Sequence, residues 1–160
     1  MKGYSTLEME VEIADYFNPR VNLIVPNISW GMYLHECDML IITPSNYAYE
    51  VEIKTDKYDL IKDKEKRHQH NSKKIKKLYF GIPYYLLEYI NHIPERAGIL
   101  VVGESLYMRN NVKKIREAQV WSDYKFTEQE KYNVARLGSM RIWGLKRTLN
   151  DSTAQERLEL

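Results

Sequence analysis

The sequence contains a single cysteine, Cys37, among its 160 residues. One cysteine excludes an internal disulfide framework and any zinc site built from several cysteines. We interpret Cys37 as a small buried residue of a strand, where free cysteines usually lie. The sequence also lacks a glycine-rich phosphate-binding loop, which argues against a nucleotide-hydrolysing domain.

Long apolar runs are missing as well. No stretch approaches the roughly 20 apolar residues of a membrane span, and the first five residues, MKGYS, lack the apolar core of a signal peptide. We therefore expect a cytoplasmic protein that does not associate with a membrane. Its length and its hydrophobic content of 44% are typical of one globular domain. We expect this domain to span residues 1–149 and residues 150–160 to form a flexible tail.

Residues 38–54 predict a β-hairpin. Two segments rich in β-branched and aromatic residues, 39–43 and 47–54, flank Pro44-Ser45-Asn46, which is typical of a turn. With this loop, Thr43 pairs with Tyr47, and the antiparallel register then sets Asp38 opposite Glu52. Lys54 lies on the same face of its strand as Glu52 because side chains alternate along a strand.

Two carboxylates placed so close together favour a shared proton or a bound cation. We interpret Asp38, Glu52 and the carbonyl oxygen of Ile53 as ligands of Mg²⁺ or Mn²⁺, and Lys54 as the group that orients the attacking water. The alternative is an ordinary solvated strand face, on which Glu50, Glu52 and Lys54 alternate with inward apolar residues. Glu36 shares the face of Asp38 and is a candidate supporting acid.

The chain carries a net charge of only +2, but the charge is unevenly distributed. Between Lys54 and Lys77, ten lysines and arginines accompany four acids, so this segment carries +6 and the remainder −4. A basic block beside acidic residues fits a phosphate-bearing substrate, whereas a solvated helix face is the alternative. The candidate nucleic-acid-binding residues are Lys57, Lys64, Lys66, Arg67, Lys73 and Lys74.

The remaining segments predict a mixed α/β sheet with flanking helices. We expect helices over 5–17, 57–70, 84–92 and 127–147, and strands over 21–25, 77–82 and 97–102. On the first helix, Leu7, Val11 and Phe17 belong to the predicted apolar face, and Glu10 falls inside it. In the last helix, we expect Tyr132, Ala135, Leu137, Met140 and Trp143 to be buried.

We do not predict a metal-binding or catalytic role for the histidines. His68 and His70 are two residues apart, whereas ligands on one face of a helix are three or four apart. His35 lies on the strand face opposite to Asp38, so we interpret it as structural.

Asp38, thirteen intervening residues and Glu52-Ile53-Lys54 resemble the signature of the restriction-endonuclease-like PD-(D/E)XK nucleases, although Cys37 stands where that signature has proline. Further segments, among them Asp63-Lys64, 78–83 and 97–100, resemble in order the MmcB-like DNA-repair branch of these nucleases. The similarity runs from about residue 8 to residue 103.

This resemblance implies a restriction-endonuclease-like core, composed of a helix, a three-strand meander, a helix and a strand, followed here by a C-terminal helix. It also implies a metal-dependent nuclease that hydrolyses phosphodiester bonds of DNA in repair, recombination or mobile-element and phage DNA processing. The glutamate on the first helix of such nucleases would be Glu10, and Asp59 and Asp63 would support the site. RNA is a further possible substrate. A homodimer is also possible, because a single site cuts only one strand of a duplex. The alternative is a catalytically inactive nuclease fold that serves as a DNA-binding or assembly subunit.

Overall fold

The computed structural model describes residues 3–29, 34–63, 70–103 and 111–158, with side chains as far as residue 152. In chain order its elements are α1 (Thr6–Phe17), β1 (Leu23–Ile28), β2 (Cys37–Ile42), β3 (Ala48–Ile53), α2 (Lys57–Lys62), β4 (Ile75–Pro83), a 3₁₀ helix (Tyr84–His92), β5 (Gly98–Val102), β6 (Val112–Arg116) and α3 (Glu128–Leu158).

The strands form a six-stranded sheet in sequence order, β1 to β6. Strands β1, β2 and β3 are antiparallel neighbours, β3, β4 and β5 are parallel, and β6 is antiparallel to β5. The predicted mixed α/β sheet with flanking helices and a C-terminal helix is therefore confirmed. Among the described residues, no helix has the length and apolar character needed to cross a membrane.

The β2–β3 hairpin has the predicted loop and register. The main-chain N–H of Thr43 donates to the carbonyl oxygen of Tyr47 at 2.9 Å, and Met39 pairs with Val51. Asn46 has a φ of 67°, a conformation that asparagine tolerates better than most residues. The paired residues end at Met39 and Val51, and beyond them the Asp38 carboxylate accepts a hydrogen bond from the main-chain N–H of Ile53. The predicted pairing of Asp38 with Glu52 stays a prediction.

The sheet is covered on both faces. Helix α1 buries Met9 and Ile13 against a cluster that includes Met39 and Val51. Close approach of α1 requires Gly81 in β4, because a Cβ atom there would lie 2.3 Å from the Cδ1 atom of Ile13. The cluster on the other face includes Leu40, Ile42, Cys37 and, from α3, Val134. Cys37 is buried, as expected.

The boundaries of α1 agree with the prediction of a helix over 5–17, but the side of α1 that is buried was predicted wrongly. Ser5 caps α1 in a capping box with Glu8. Leu7 and Val11 are exposed, at 68% and 54%, and Met9 is buried in their place. The predicted apolar arc was broad, and the sheet receives only the side of α1 that carries Met9 and Ile13.

Two strand predictions were also wrong. Strand β1 continues through Pro26 and Asn27 to Ile28, whereas a proline was expected to end it. Because β1 is an edge strand, proline's missing N–H is tolerated there. Strand β6 follows residue 102, where no further strand was predicted, because its lysines gave no strand signal.

Helices α2 and α3 depart from the prediction at their C-terminal ends. Asp56 caps α2 as expected, but α2 ends at Lys62, and His70 has a φ of 55°, which is not helical. Helix α3 has the predicted capping box of Thr127 and Glu130 and continues to Leu158, where a frayed tail was expected.

The predicted buried side of α3 was wrong. Tyr132, Met140 and Trp143 are more than half exposed, and Ala135 is exposed as well. Val134 is the buried residue and Leu137 packs beside it. The helix contacts strand β1 through its N-terminal half, where Gly138 approaches Val25, so its remaining apolar residues face outward.

Candidate active site

Strand β3 carries three ionisable side chains on one face, all of them buried. Glu50, Glu52 and Lys54 are 0%, 1% and 3% exposed. The alternative of a solvated strand face is therefore wrong. Buried charges require partners, and the structure supplies them from α2 and from two histidines.

Lys54 lies among three carboxylates. Its Nζ atom is 2.9 Å from Asp63 Oδ1, 3.4 Å from Asp59 Oδ2 and 3.5 Å from Glu52 Oε2. Asp59 in the first turn of α2 and Asp63, which directly follows the helix, are four residues apart and thus face the same side. Both contact the Lys54 ammonium, and their role in supporting a catalytic site stays a prediction.

His70 links two elements of the site. Its Nε2 atom is 2.9 Å from Asp63 Oδ2 and its Nδ1 atom is 2.6 Å from Glu50 Oε1. Burial alone would lower the pKa of His70, but the hydrogen bonds to Asp63 and Glu50 outweigh burial and raise this pKa to about 9. His70 is therefore an imidazolium at neutral pH in this arrangement.

Glu50 lies between two histidines. Its Oε2 atom is 2.8 Å from Nε2 of His35, while its Oε1 atom contacts His70. Burial would raise the pKa of Glu50, but the hydrogen bonds to His35 and His70 hold the pKa of this carboxyl below its ordinary value. Glu50 is accordingly an ionised carboxylate inside the protein.

Sequence reasoning gave no role to His35, Glu50 or His70. His70 was judged by its spacing from His68, which lies outside the described residues, whereas its partners are Asp63 and the more distant Glu50. One available signal was the acidic repeat Glu50-Val51-Glu52, since two acids on one face of an inner strand require buried partners.

Asp38 and Glu10 meet at the hairpin. Asp38 Oδ2 accepts a hydrogen bond from the main-chain N–H of Ile53 at 2.7 Å. The pKa of Glu10 is raised, chiefly by burial and further by the negative charge of Asp38, while a hydrogen bond from Asn27 opposes the rise. Helix α1 thus brings a second carboxyl close to Asp38.

The predicted metal ligands near this end of the hairpin carry oxygen donors, but among the described residues no group of three or more ligand atoms within 4.8 Å of one another includes Asp38 or Glu10. Asp38, Glu52, the Ile53 carbonyl and Glu10 offer oxygen atoms alone, which is the ligand type that Mg²⁺ and Mn²⁺ prefer. Glu36 is exposed, on the segment that leads into β2.

The basic block is partly neutralised. Lys57 and Lys73 are exposed, but Lys74 Nζ lies 2.5 Å from Glu130 and Lys77 Nζ lies 2.7 Å from Glu117. The predicted nucleic-acid-binding residues Lys64, Lys66 and Arg67 lie outside the described residues. Among the described residues of this block, the exposed positive charges are those of Lys57, Lys62 and Lys73.

Comparisons with known proteins support the fold. No protein-family model matches the chain, and no curated protein matches it. The SPO1766 protein of unknown function from Silicibacter pomeroyi, a solved structure, resembles this chain with a TM-score of 0.59 and 13% sequence identity, over 89% of this chain and 88% of that one. At this identity the likeness shows a shared fold.

Proposed function

We propose that the protein is a metal-dependent nuclease that hydrolyses phosphodiester bonds of DNA. The observation that carries this proposal is the Lys54 ammonium, buried among the carboxylates of Glu52, Asp59 and Asp63. It lies at the end of the hairpin where the Asp38 carboxylate accepts from the N–H of Ile53. Two carboxylates and an ammonium group at one end of a hairpin are suited to binding an ion and orienting a water molecule.

Asp38, Glu52 and the carbonyl oxygen of Ile53 would hold the ion, and Glu10 would add a carboxyl from α1. When bound, Mg²⁺ or Mn²⁺ polarises a phosphoryl oxygen and lowers the pKa of a coordinated water. The N–H of Ile53 fixes the orientation of the Asp38 carboxylate. Asp63 and Asp59 hold the Lys54 ammonium in place, where it orients the attacking water and stabilises the developing negative charge.

The lysines around the site would contact the DNA backbone without reading its sequence. Lys57 and Lys73 are exposed for this role, and the sequence adds Lys64, Lys66 and Arg67. We place the activity in the cytoplasm, in repair, recombination or the processing of mobile-element or phage DNA.

One observation favours a second candidate function, a nuclease fold that binds DNA or a protein assembly without cutting. Glu52 and Lys54 are 1% and 3% exposed, so a substrate phosphate reaches them only if neighbouring side chains move. A binding subunit needs no such movement.

Isothermal titration of Mn²⁺, followed by incubation with labelled duplex and branched DNA, tests the proposal. We expect the wild type to bind Mn²⁺ and cut DNA, and Asp38→Asn to lose both. Asp15→Asn is a matched control, because Asp15 is an exposed acid on α1. If the wild type binds DNA but neither takes up Mn²⁺ nor cuts any substrate, the nuclease proposal is wrong and the protein is better explained as a DNA-binding subunit.

A further inference from the structure

We propose that His35, Glu50 and His70 form a second metal site, one that takes a divalent transition-metal ion of the Zn²⁺ class. This site adjoins the oxygen-donor site proposed at Asp38, since His70 Nδ1 lies 3.9 Å from Glu52 Oε1. It shares no ligand with that site and does not depend on the nuclease proposal. Its three side chains come from the residues before β2, from β3 and from the residues before β4.

The geometry places the donors around one point. A ligand atom from each of His35, Glu50 and His70 lies within 4.8 Å of the other two. The Glu50 carboxylate already faces both rings, with Oε2 toward Nε2 of His35 and Oε1 toward Nδ1 of His70. A metal ion would replace the proton that His70 Nδ1 shares with Glu50, so binding would release this proton to solvent. Donors of a tetrahedral site with bonds of about 2.0–2.1 Å lie roughly 3.3 Å apart, so binding an ion would lengthen the contacts of 2.8 and 2.6 Å that Glu50 makes with His35 and His70.

The donor types select the metal. Two imidazoles and one carboxylate suit Zn²⁺ and neighbouring transition metals, whereas Mg²⁺ prefers oxygen ligands. Three protein ligands leave a fourth position for water or another ligand.

Asp63 supplies the support that a histidine ligand usually has. Its Oδ2 atom lies 2.9 Å from Nε2 of His70, on the ring nitrogen that does not face Glu50. A carboxylate that accepts from the outer N–H of a metal-bound histidine fixes the ring and its tautomer. Asp63 is 6% exposed, so solvent competes little for this hydrogen bond.

A neighbouring group of possible donors is less suitable. Glu52, Asp63 and His70 also have ligand atoms within 4.8 Å of one another, but the Lys54 ammonium lies 3.5 Å from Glu52 and 2.9 Å from Asp63. A cation placed there would be repelled by Lys54. The site with His35 is therefore the better candidate.

Co²⁺ titration of the metal-free full-length protein tests the site, because Co²⁺ replaces Zn²⁺ and reports its coordination by visible absorption. We expect one equivalent of Co²⁺ to bind with the absorption of a four- or five-coordinate ion, and Zn²⁺ to displace it. His70→Ala should abolish this signal, and Asp63→Asn should weaken binding by about 10- to 100-fold, as loss of a supporting carboxylate does.

The controls separate this site from other metal binding and from misfolding. His92→Ala removes a histidine on the 3₁₀ helix that belongs to neither group of possible ligands, and this variant should bind Co²⁺ as the wild type does. His35→Ala removes the more exposed of the two histidine ligands, whose side chain is 10% exposed. This variant takes the place of His70→Ala if His70→Ala fails to fold. Asp38→Asn should keep the Co²⁺ signal, so failure of one proposal is distinguishable from failure of the other. An unchanged signal in folded His35→Ala, or no Co²⁺ uptake by the wild type, would overturn the inference.

Discussion

The Lys54 ammonium and the Asp63 carboxylate are 2.9 Å apart and almost completely shielded from water. Asp63 lies at the end of α2 and Lys54 directly follows β3, so this ion pair joins the helix to the centre of the sheet. Its removal should therefore affect stability as well as any chemistry at the site.

We expect Lys54→Met to lower the free energy of unfolding by about 3–5 kcal/mol, because it leaves buried carboxylates without their cation. Urea unfolding followed by circular dichroism measures this change. Lys57→Met, which alters an exposed lysine three residues away, should stay within about 0.5 kcal/mol of the wild type. Equal effects of the two variants would show that the Lys54 ion pair contributes nothing to stability.

Glu10→Gln should weaken Mn²⁺ binding and slow DNA cleavage, because it neutralises the carboxyl that lies close to Asp38. We expect a loss of about 10- to 100-fold, typical of groups that support a ligand, and a smaller loss than in Asp38→Asn. Single-turnover cleavage at saturating Mn²⁺ measures the rate. The neighbouring Glu12→Gln should cleave as the wild type does, and an equally slow Glu12→Gln would argue against a specific role of Glu10.

Two glycine substitutions should shift stability in opposite directions. A Cβ atom on Gly98 would lie 2.4 Å from ring carbons of Tyr79 and 2.9 Å from the main-chain nitrogen of Ala118. Gly98→Ala should therefore destabilise the protein by about 1–3 kcal/mol through overpacking. Gly144 in α3 has no atom within 4 Å of such a Cβ, so Gly144→Ala should stabilise by about 0.5–1 kcal/mol. Thermal unfolding of both variants checks the two signs.

Low pH should weaken the hydrogen bonds by which Glu130 holds α3 to Lys74 and Tyr124. Burial would raise the pKa of this carboxyl, but hydrogen bonds from Lys74, Thr127 and Tyr124 lower it from 4.5 to about 2. A folded-state pKa below the unfolded one stabilises the protein fully above pH 4.5, and this contribution disappears as pH falls toward 2.

Glu130→Gln should thus be less stable than the wild type at pH 7, and the difference should shrink between pH 4.5 and pH 2. Urea unfolding across this range measures the difference. Glu128→Gln is the control, because the Glu128 side chain is 83% exposed. A difference between Glu130→Gln and the wild type that is independent of pH would contradict the assignment.

The hairpin register could be predicted from the sequence, because Pro44-Ser45-Asn46 fixes the loop and the loop fixes every pair beyond it. A helix after β3 was also predicted, and its short course brings Asp59 and Asp63 back to Lys54. His35 and His70 could not be found in this way. Their partner Glu50 is 15 and 20 residues distant, and such contacts depend on tertiary packing that no local pattern encodes.

The prediction of which helix residues are buried was wrong for a related reason. Periodicity marks a broad apolar arc, but the sheet determines which part of that arc is covered. In α1 the sheet covers Met9 and leaves Leu7 exposed, and in α3 it covers Val134 and leaves Tyr132 exposed.

The order of the strands leaves β1 and β6 at the two edges of the sheet. An open edge offers unpaired main-chain groups to which another chain can add a strand. Pro26 in β1 lacks one N–H donor, and Asn27 has a φ of 54° that interrupts a flat edge. Lys113 and Lys114 are exposed on β6, where like charges repel a second copy. Both edges therefore resist the sheet-to-sheet addition that leads to aggregation.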